Sequence, residues 1–363
     1  MDTLVLLTLT GLGLGALYFL IASGLALIFG LMDVLNFAHG AFLTVGCYTA
    51  WVTADAVGGV PGLLLATVVG TLTGLVLAVV VELVLIRRLY GRVKEQILVT
   101  VGLSLAIPAL VQTVWGADAR PFPVPDALAG TFDVLGARVP VNRLLLIAVA
   151  VLVLTGIRLF LARTRFGLVV RAGVEDRAMV TALGIDVTRA FTLVFALGGA
   201  LAGLAGVLGG LYFGSLSPHQ GTSLLVFAFV VVIIGGLHSI TKVAVAALTV
   251  GLVQQYANYY AGGYGDLAAV ILLAVVVLTR PAPNTDTPWQ RLRRVLSVPS
   301  PAVAATAGGP VADPAGGGPA AATRPTENAA DSAPTVETSE TAGTAAARTP
   351  GSAGPDGSAG GTS

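Results

Sequence analysis

Apolar runs of membrane length recur along this chain, at about 4–30, 60–86, 96–115, 141–162, 190–213, 222–236, 242–261 and 266–280. At 1.5 Å per residue the first is about 40 Å long, longer than a signal-peptide core and enough to span a bilayer with tilt. Asp2 stands where a cleavable signal would carry basic residues, so this run is expected to be retained as a membrane helix. Of the 363 residues 55% are hydrophobic and 11% charged, against about 25% charged in an average globular chain. Mean hydropathy is +0.87. A surface of that composition excludes a water-soluble enzyme.

A further run, 37–54, follows Asn36 and is more polar, with His39, Thr44, Tyr48 and Thr49. It is expected to be either a full span or a partly re-entrant helix. The fold class is therefore all-α, a polytopic bundle of about eight or nine transmembrane helices. Basic residues set its orientation. Fifteen of twenty lie in loops 87–94 and 158–189, at Lys242, or at the end of the last span, whereas loop 116–140 and the start of the next span hold Arg120, Arg138 and Arg143. This places the amino terminus outside and the carboxyl terminus in the cytoplasm after nine crossings of the plasma membrane.

Gly70 and Gly74, Gly199 and Gly203, and Gly206 and Gly210 put small residues four apart on helix faces, the spacing that lets membrane helices approach closely. The membrane domain is expected over 1–283. Residues 284–363 form a cytoplasmic juxtamembrane segment and a tail. Residues 300–363 are Ala, Gly, Pro, Thr and Ser with six acids and two arginines, too few apolar groups to offset the entropy of ordering, so disorder is expected.

Several chemistries lack their residues. Neither Lys94 nor Lys242 follows a glycine, so there is no phosphate-binding P-loop. Gly11, Gly13 and Gly15 fall inside an apolar run rather than in a dinucleotide loop. His39, His219 and His238 have no partner at metal-ligand spacing, and Cys47 reads as a small packing residue. Two lysines and eighteen scattered arginines make no nucleic-acid surface. Glu82, beside Arg87 and Arg88, is expected to snorkel to the inner interface, and Asp266 to favour the positive end of a helix. With no carboxylate at mid-membrane, an ion relay has no site and the energy source is expected in another protein.

Three segments carry more specific information. In the first, Asp33, Asn36 and His39 recur three residues apart and are followed by Gly40. In a helix they would share roughly one face, and their polarity beside a glycine favours a broken or re-entered helix lining a cavity. The stretch Asn36-Phe37-Ala38-His39-Gly40, followed by Gly46-Cys47-Tyr48, resembles the H-type permease subunit of branched-chain amino-acid ABC importers.

The second, in the longest inner loop, runs from Thr164 through Arg171-Ala172-Gly173-Val174-Glu175-Asp176 to Leu183-Gly184-Ile185. Arg171–Leu183 is expected as a short amphipathic helix with Gly184 as its C-terminal cap. Its mixture of charge with Val174, Met179, Val180 and Leu183 suits docking in a partner's groove. In the family this segment is the coupling helix that sits on the ATPase. The resemblance thus implies coupling roles for Arg171, Ala172, Glu175, Asp176, Leu183 and Gly184, with Gly173 replacing the usual non-glycine residue. The third segment, Gly235-Gly236-Leu237-His238, is similar to a glycine-rich turn of the family in which His238 replaces a common glycine. With the first segment it is expected to contribute to a translocation pathway through Asp33, Asn36, His39, Gly40, Gly235, Gly236 and His238.

The resemblance covers about residues 4–283. It implies a non-enzymatic permease that carries branched-chain, hydrophobic amino acids. Its partners would be an M-type permease, two ATP-binding cassette subunits and an extracytoplasmic substrate-binding protein. No cofactor would be bound by this chain, with ATP and Mg held in the partner ATPases. The alternatives are the same permease carrying urea or short amides, and, from a different class, an autonomous channel or ion-coupled carrier.

Overall fold

The computed structural model describes residues 2–32, 34–134, 136–175, 179, 187–236 and 239–279. Asp33, Asp176, Leu183, Gly184 and His238, together with residues 280–363, lie outside the described residues. Each apolar run becomes a helix. The first four are α1 (Asp2–Met32), α2 (His39–Val57), α3 (Gly59–Val84) and α4 (Val93–Trp115). After a connecting excursion containing β1 (Arg120–Pro121), α5 (Asp126–Ala129), β2 (Thr131–Val134) and β3 (Ala137–Pro140) come α6 (Val141–Arg163) and α7 (Arg165–Glu175). The chain continues with α8 (Val187–Phe213), β4 (Ser215–Leu216), α9 (Gln220–Gly235), α10 (Ile240–Tyr260) and α11 (Gly265–Thr279).

Six helices, α1, α3, α4, α6, α8 and α10, are long and apolar enough to cross a membrane, while α9 and α11 are shorter and apolar. The protein is a multi-pass helical membrane bundle. The short strands are not anticipated by the apolar pattern, because they lie in the connections between the apolar runs. β2 and β3 form an antiparallel hairpin, and β1 pairs antiparallel with β4, clipping the loop between α4 and α6 to the chain that leaves α8.

α1 occupies the centre, with every residue from Gly13 to Ile28 buried. It runs antiparallel to α10, where a Cβ on Gly15 would lie 2.7 Å from the Leu248 Cα. α8 packs on α1, α2 and α3. The glycines marked by their spacing make this contact. A Cβ on Gly74 would lie 2.8 Å from the Gly203 Cα, and one on Gly46 would lie 2.7 Å from the same atom. Close backbone approach of this kind gives helices dispersion contacts that lipid cannot supply. The outward faces of α3, α4 and α6 carry Leu64, Leu98, Leu105 and Leu152, all largely exposed, as lipid-facing side chains are.

Caps and turns follow local chemistry. Gly58, at φ 72°, permits the abrupt turn from α2 into α3. At the end of α8 the last carbonyls find donors on α6: Asn142 Nδ2 donates to Leu211 O at 3.1 Å and Arg143 Nη1 to Tyr212 O at 2.8 Å. The Arg143 guanidinium also lies 3.3 Å from the Tyr212 ring centroid. Cys47 is buried, as its apolar surroundings predict.

Candidate functional site

The segment after α1 turns back into the bundle. Residues 34–38 are non-helical, and α2 begins at His39, whose Nε2 lies 3.1 Å from the Ile21 carbonyl. Ile21 stands eleven residues before the end of α1, so α2 starts about 16 Å inside the bundle from that end. Asn36 makes the turn possible: its Oδ1 accepts a hydrogen bond from Ala38 N at 3.1 Å, and the His39 amide donates to Asn36 O at 3.3 Å. Asn36 and His39 are both fully buried. Among the described residues, Asn36 Nδ2 and His39 Nδ1 have no hydrogen-bond partner. Gly24 leaves room for the imidazole, since a Cβ there would lie 2.8 Å from His39 Cε1.

A second helix begins at the same depth. After Gly214, at φ 66°, the chain runs through β4 and Ser217-Pro218-His219 into α9. A Cβ on Gly40 would fall 2.6 Å from the Gly221 carbonyl oxygen, and Thr44 Oγ1 donates to Pro218 O at 3.4 Å. The N-termini of α2 and α9 therefore meet inside the bundle, each reached by non-helical backbone. Helix N-termini carry positive partial charge, and irregular backbone at membrane depth is tolerated where protein or a cavity surrounds it. Further inward the rings of Phe37 and Phe229 lie 5.1 Å apart. Gly235, six residues beyond Phe229, stands about 9 Å farther along α9. There it packs against Val243, where its Cβ would lie 2.6 Å from the Val243 Cα, and Gly236 follows at φ 81°. The structure thus brings Asn36, His39 and Gly40 together with the start of α9, while Gly235 and Gly236 form its inner end.

Beside the meeting point opens a cavity of about 410 Å³. Its polar walls include Ser217, His219, Gln220, Ser223 and Asp266, and its apolar floor includes Leu224 and Phe227. Tyr18 Oη donates to Gln254 Oε1 at 2.7 Å, and Gln254 Nε2 donates to Asp266 Oδ1 at 2.6 Å. The Tyr18 and Phe227 rings stack at 5.2 Å beneath. Sequence reasoning passed over Tyr18, Gln220 and Gln254, and weighed His219 only as a metal ligand. The available signals were the polar Ser217–Gln220 stretch before an apolar run and the Gln254-Gln255 pair within one. Among the described residues, no three His, Cys, Asp or Glu side chains are grouped to hold a metal.

After α6, α7 starts at Arg165, six residues before its expected start. Thr164 explains the difference: its Oγ1 accepts from Gly167 N at 3.0 Å and donates to Phe160 O at 2.7 Å, capping the new helix while closing α6. Gly167 fits tightly, with a Cβ position 2.6 Å from Leu161 O. Arg171, Ala172 and Glu175 are on α7, and Ala172 is exposed. Phe166 and Leu168 are also exposed, although α7 is strongly amphipathic. Glu82 does not snorkel. It is fully buried because both carboxylate oxygens are satisfied internally, by Tyr90 Oη at 2.7 Å and Thr192 Oγ1 at 3.0 Å.

Residues 7–279, a span that takes in these helices apart from the first five residues of α1, match the family described as branched-chain amino acid transport system / permease component. The chain belongs to this permease family. Similar proteins include the high-affinity branched-chain amino acid transport system permease protein BraD of Pseudomonas aeruginosa, 30% identical over 284 residues, 75% of this chain and 92% of the relative. The corresponding permease protein LivH of Escherichia coli K12 is 28% identical with the same shares covered. A probable branched-chain amino acid transport permease protein LivH of Methanocaldococcus jannaschii is 27% identical, covering 77% of this chain and 91% of that one. No solved structure gives a match. The resemblance read from Asn36–Gly40 and Arg171–Gly184 to the H-type permeases is borne out at the level of the family.

Proposed function

We propose that this permease translocates branched-chain amino acids across a bacterial plasma membrane. ATP hydrolysis in two partner ATPase subunits would drive it, with an M-type permease and an extracytoplasmic binding protein completing the importer. ATP and Mg belong to those partners, and this chain binds no cofactor. The observation that carries the reading is the meeting of the α2 and α9 N-termini at Gly40 and Gly221 inside a bundle of the permease family. Interrupted helices whose positive ends converge at membrane depth are the arrangement by which transporters hold anionic substrate groups.

The pathway runs past Asn36, His39 and Gly40 towards the inner end of α9 at Gly235 and Gly236, and Asp33 and His238 are assigned to it by their place in the same segments. The amino terminus is outside and the carboxyl terminus is cytoplasmic, with loops 87–94 and 158–189 on the basic inner side. α7 and the residues after it, with Arg171, Ala172, Glu175, Asp176, Leu183 and Gly184, form the coupling element. The exposed Phe166 and Leu168 supply apolar surface for the ATPase groove. The membrane domain of this reading is 1–283, and 284–363 is a cytoplasmic extension.

Uptake of labelled leucine and labelled urea, in cells with and without this gene and with the partner subunits intact, tests the assignment. Loss of leucine uptake alone is the expected result. Loss of urea uptake alone would overturn the cargo, and transport by the purified chain alone in liposomes would overturn the dependence on ATPases.

A further inference from the structure

We infer that the cavity beside the start of α9 is a binding site for a free aliphatic α-amino acid, read through its zwitterion by Asp266 and the first turn of α9. The inference rests on the proposed function and adds where and by which groups the cargo is held. Three features of the cavity converge on this ligand class.

The first is an oriented carboxylate. Gln254, 4% exposed, donates to Asp266 Oδ1, and its own carbonyl oxygen is held by Tyr18, 2% exposed. This chain from α1 through α10 to α11 fixes the Asp266 side chain by one oxygen. Asp266 Oδ2 has no hydrogen-bond partner, and Asp266 no cationic partner, among the described residues. A carboxylate held in place with an oxygen to spare is a receptor for an ammonium group.

The second feature lines the same cavity, where His219, Gln220 and Ser223 bring in the N-terminal turn of the sixteen-residue helix α9. This wall carries the opposite, positive partial charge. A ligand with an ammonium at one end and a carboxylate at the other complements both walls at once. The third feature is the floor of Leu224 and Phe227, which meets an aliphatic side chain. A volume of about 410 Å³ is at the small end of the ~300–1,000 Å³ range of ligand sites. Urea and short amides lack the charges that this pair of walls would read.

The test uses Ser223→Cys as a reporter, in membranes that hold the whole transporter. Ser223 is exposed in the cavity, and the native Cys47 is buried and gives little background. Leucine is expected to slow maleimide labelling of the reporter by the factor 1 + [L]/Kd, roughly tenfold at ten times Kd. Isocaproate, without the ammonium, and isoamylamine, without the carboxylate, are expected to leave the rate unchanged at the same concentration. Adding Asp266→Asn, which keeps the shape and the acceptor for Gln254, is expected to abolish protection by leucine while the unprotected rate stays the same. Protection by isocaproate equal to that by leucine, full protection in the Asp266→Asn reporter, or no protection by leucine would each overturn the inference. Absent protection with leucine uptake still dependent on this gene overturns the site alone, whereas uptake independent of the gene overturns the proposed function.

Discussion

Gly40 and Gly221 lie backbone to backbone, so close that a side chain on Gly40 would begin 2.6 Å from the Gly221 carbonyl oxygen. The contact lets two helices of a membrane bundle start beside one another in its interior. It also makes the site sensitive to a single methyl group.

Gly40→Ala and Gly221→Ala are expected to cost about 1–3 kcal/mol through overpacking, because the atom met is backbone and cannot rotate away. Thermal unfolding in detergent should show both variants melting earlier, and leucine uptake should fall. Gly102→Ala, in a helix position with open space around it, is the control and should leave both measurements near those of the parent.

Glu82 accepts hydrogen bonds from Tyr90 and Thr192 in a fully buried position. Glu82→Leu removes the shared acceptor, and a loss of about 2–5 kcal/mol is expected from two charge-assisted hydrogen bonds. Glu82→Gln keeps one carbonyl oxygen and a similar volume and should lose less. A double-mutant cycle between Glu82→Gln and Tyr90→Phe, read from unfolding in detergent, should give a coupling energy above about 0.5 kcal/mol. Strict additivity would argue against the contact.

The coupling assignment makes Glu175→Arg the decisive substitution on α7. Uptake of leucine is expected to be abolished, with the protein present in the membrane at its usual level. Quantitative immunoblotting of membranes beside the uptake assay separates the two, and normal uptake would remove the coupling role. Thr164→Ala, which strips the cap of α7, is expected to cost about 1 kcal/mol and to weaken uptake partially.

Arg143 closes the C-terminal end of α8 by a hydrogen bond to Tyr212 O and by its guanidinium over the Tyr212 ring. Arg143→Lys keeps the charge but loses the planar stack, and should lower stability by about 0.5–2 kcal/mol. Arg143→Ala should lose more, since the carbonyl then lacks its donor. Melting temperatures of the two variants in the same detergent give the order.

Much of this architecture was legible because lipid imposes a simple rule: long apolar stretches become helices, and their ends follow the polar residues. The runs at 60–86 and 141–162 correspond to α3 at Gly59–Val84 and α6 at Val141–Arg163 within a few residues. The glycine pairs on α3 and α8 were legible for the same reason, since their spacing is itself the packing motif. The interior start of α9 was not, because Ser217-Pro218-His219 reads as an ordinary loop until Thr44 is known to lie beside it. Tyr18, Gln254 and Asp266 are joined across more than two hundred residues of chain, a relationship that no local periodicity records. The start of α7 was missed because Thr164 caps through one side-chain hydrogen bond, and charge and apolar content drew attention to the residues after Arg171. Glu82 was misread because nearby arginines suggested a route to water that two hydroxyl groups made unnecessary.

The central place of α1 has a consequence for biogenesis. α1 is made before the neighbours that surround it, and after Met32 its contacts with α8 wait for more than one hundred and fifty residues and those with α10 for more than two hundred. Until then it must persist in lipid without them, which its high mean hydropathy allows. Insertion and assembly are therefore separate events in this protein. A chain that stalls before α10 leaves Gly11 and Gly15, the seat of that helix, open to whatever other membrane segment drifts past.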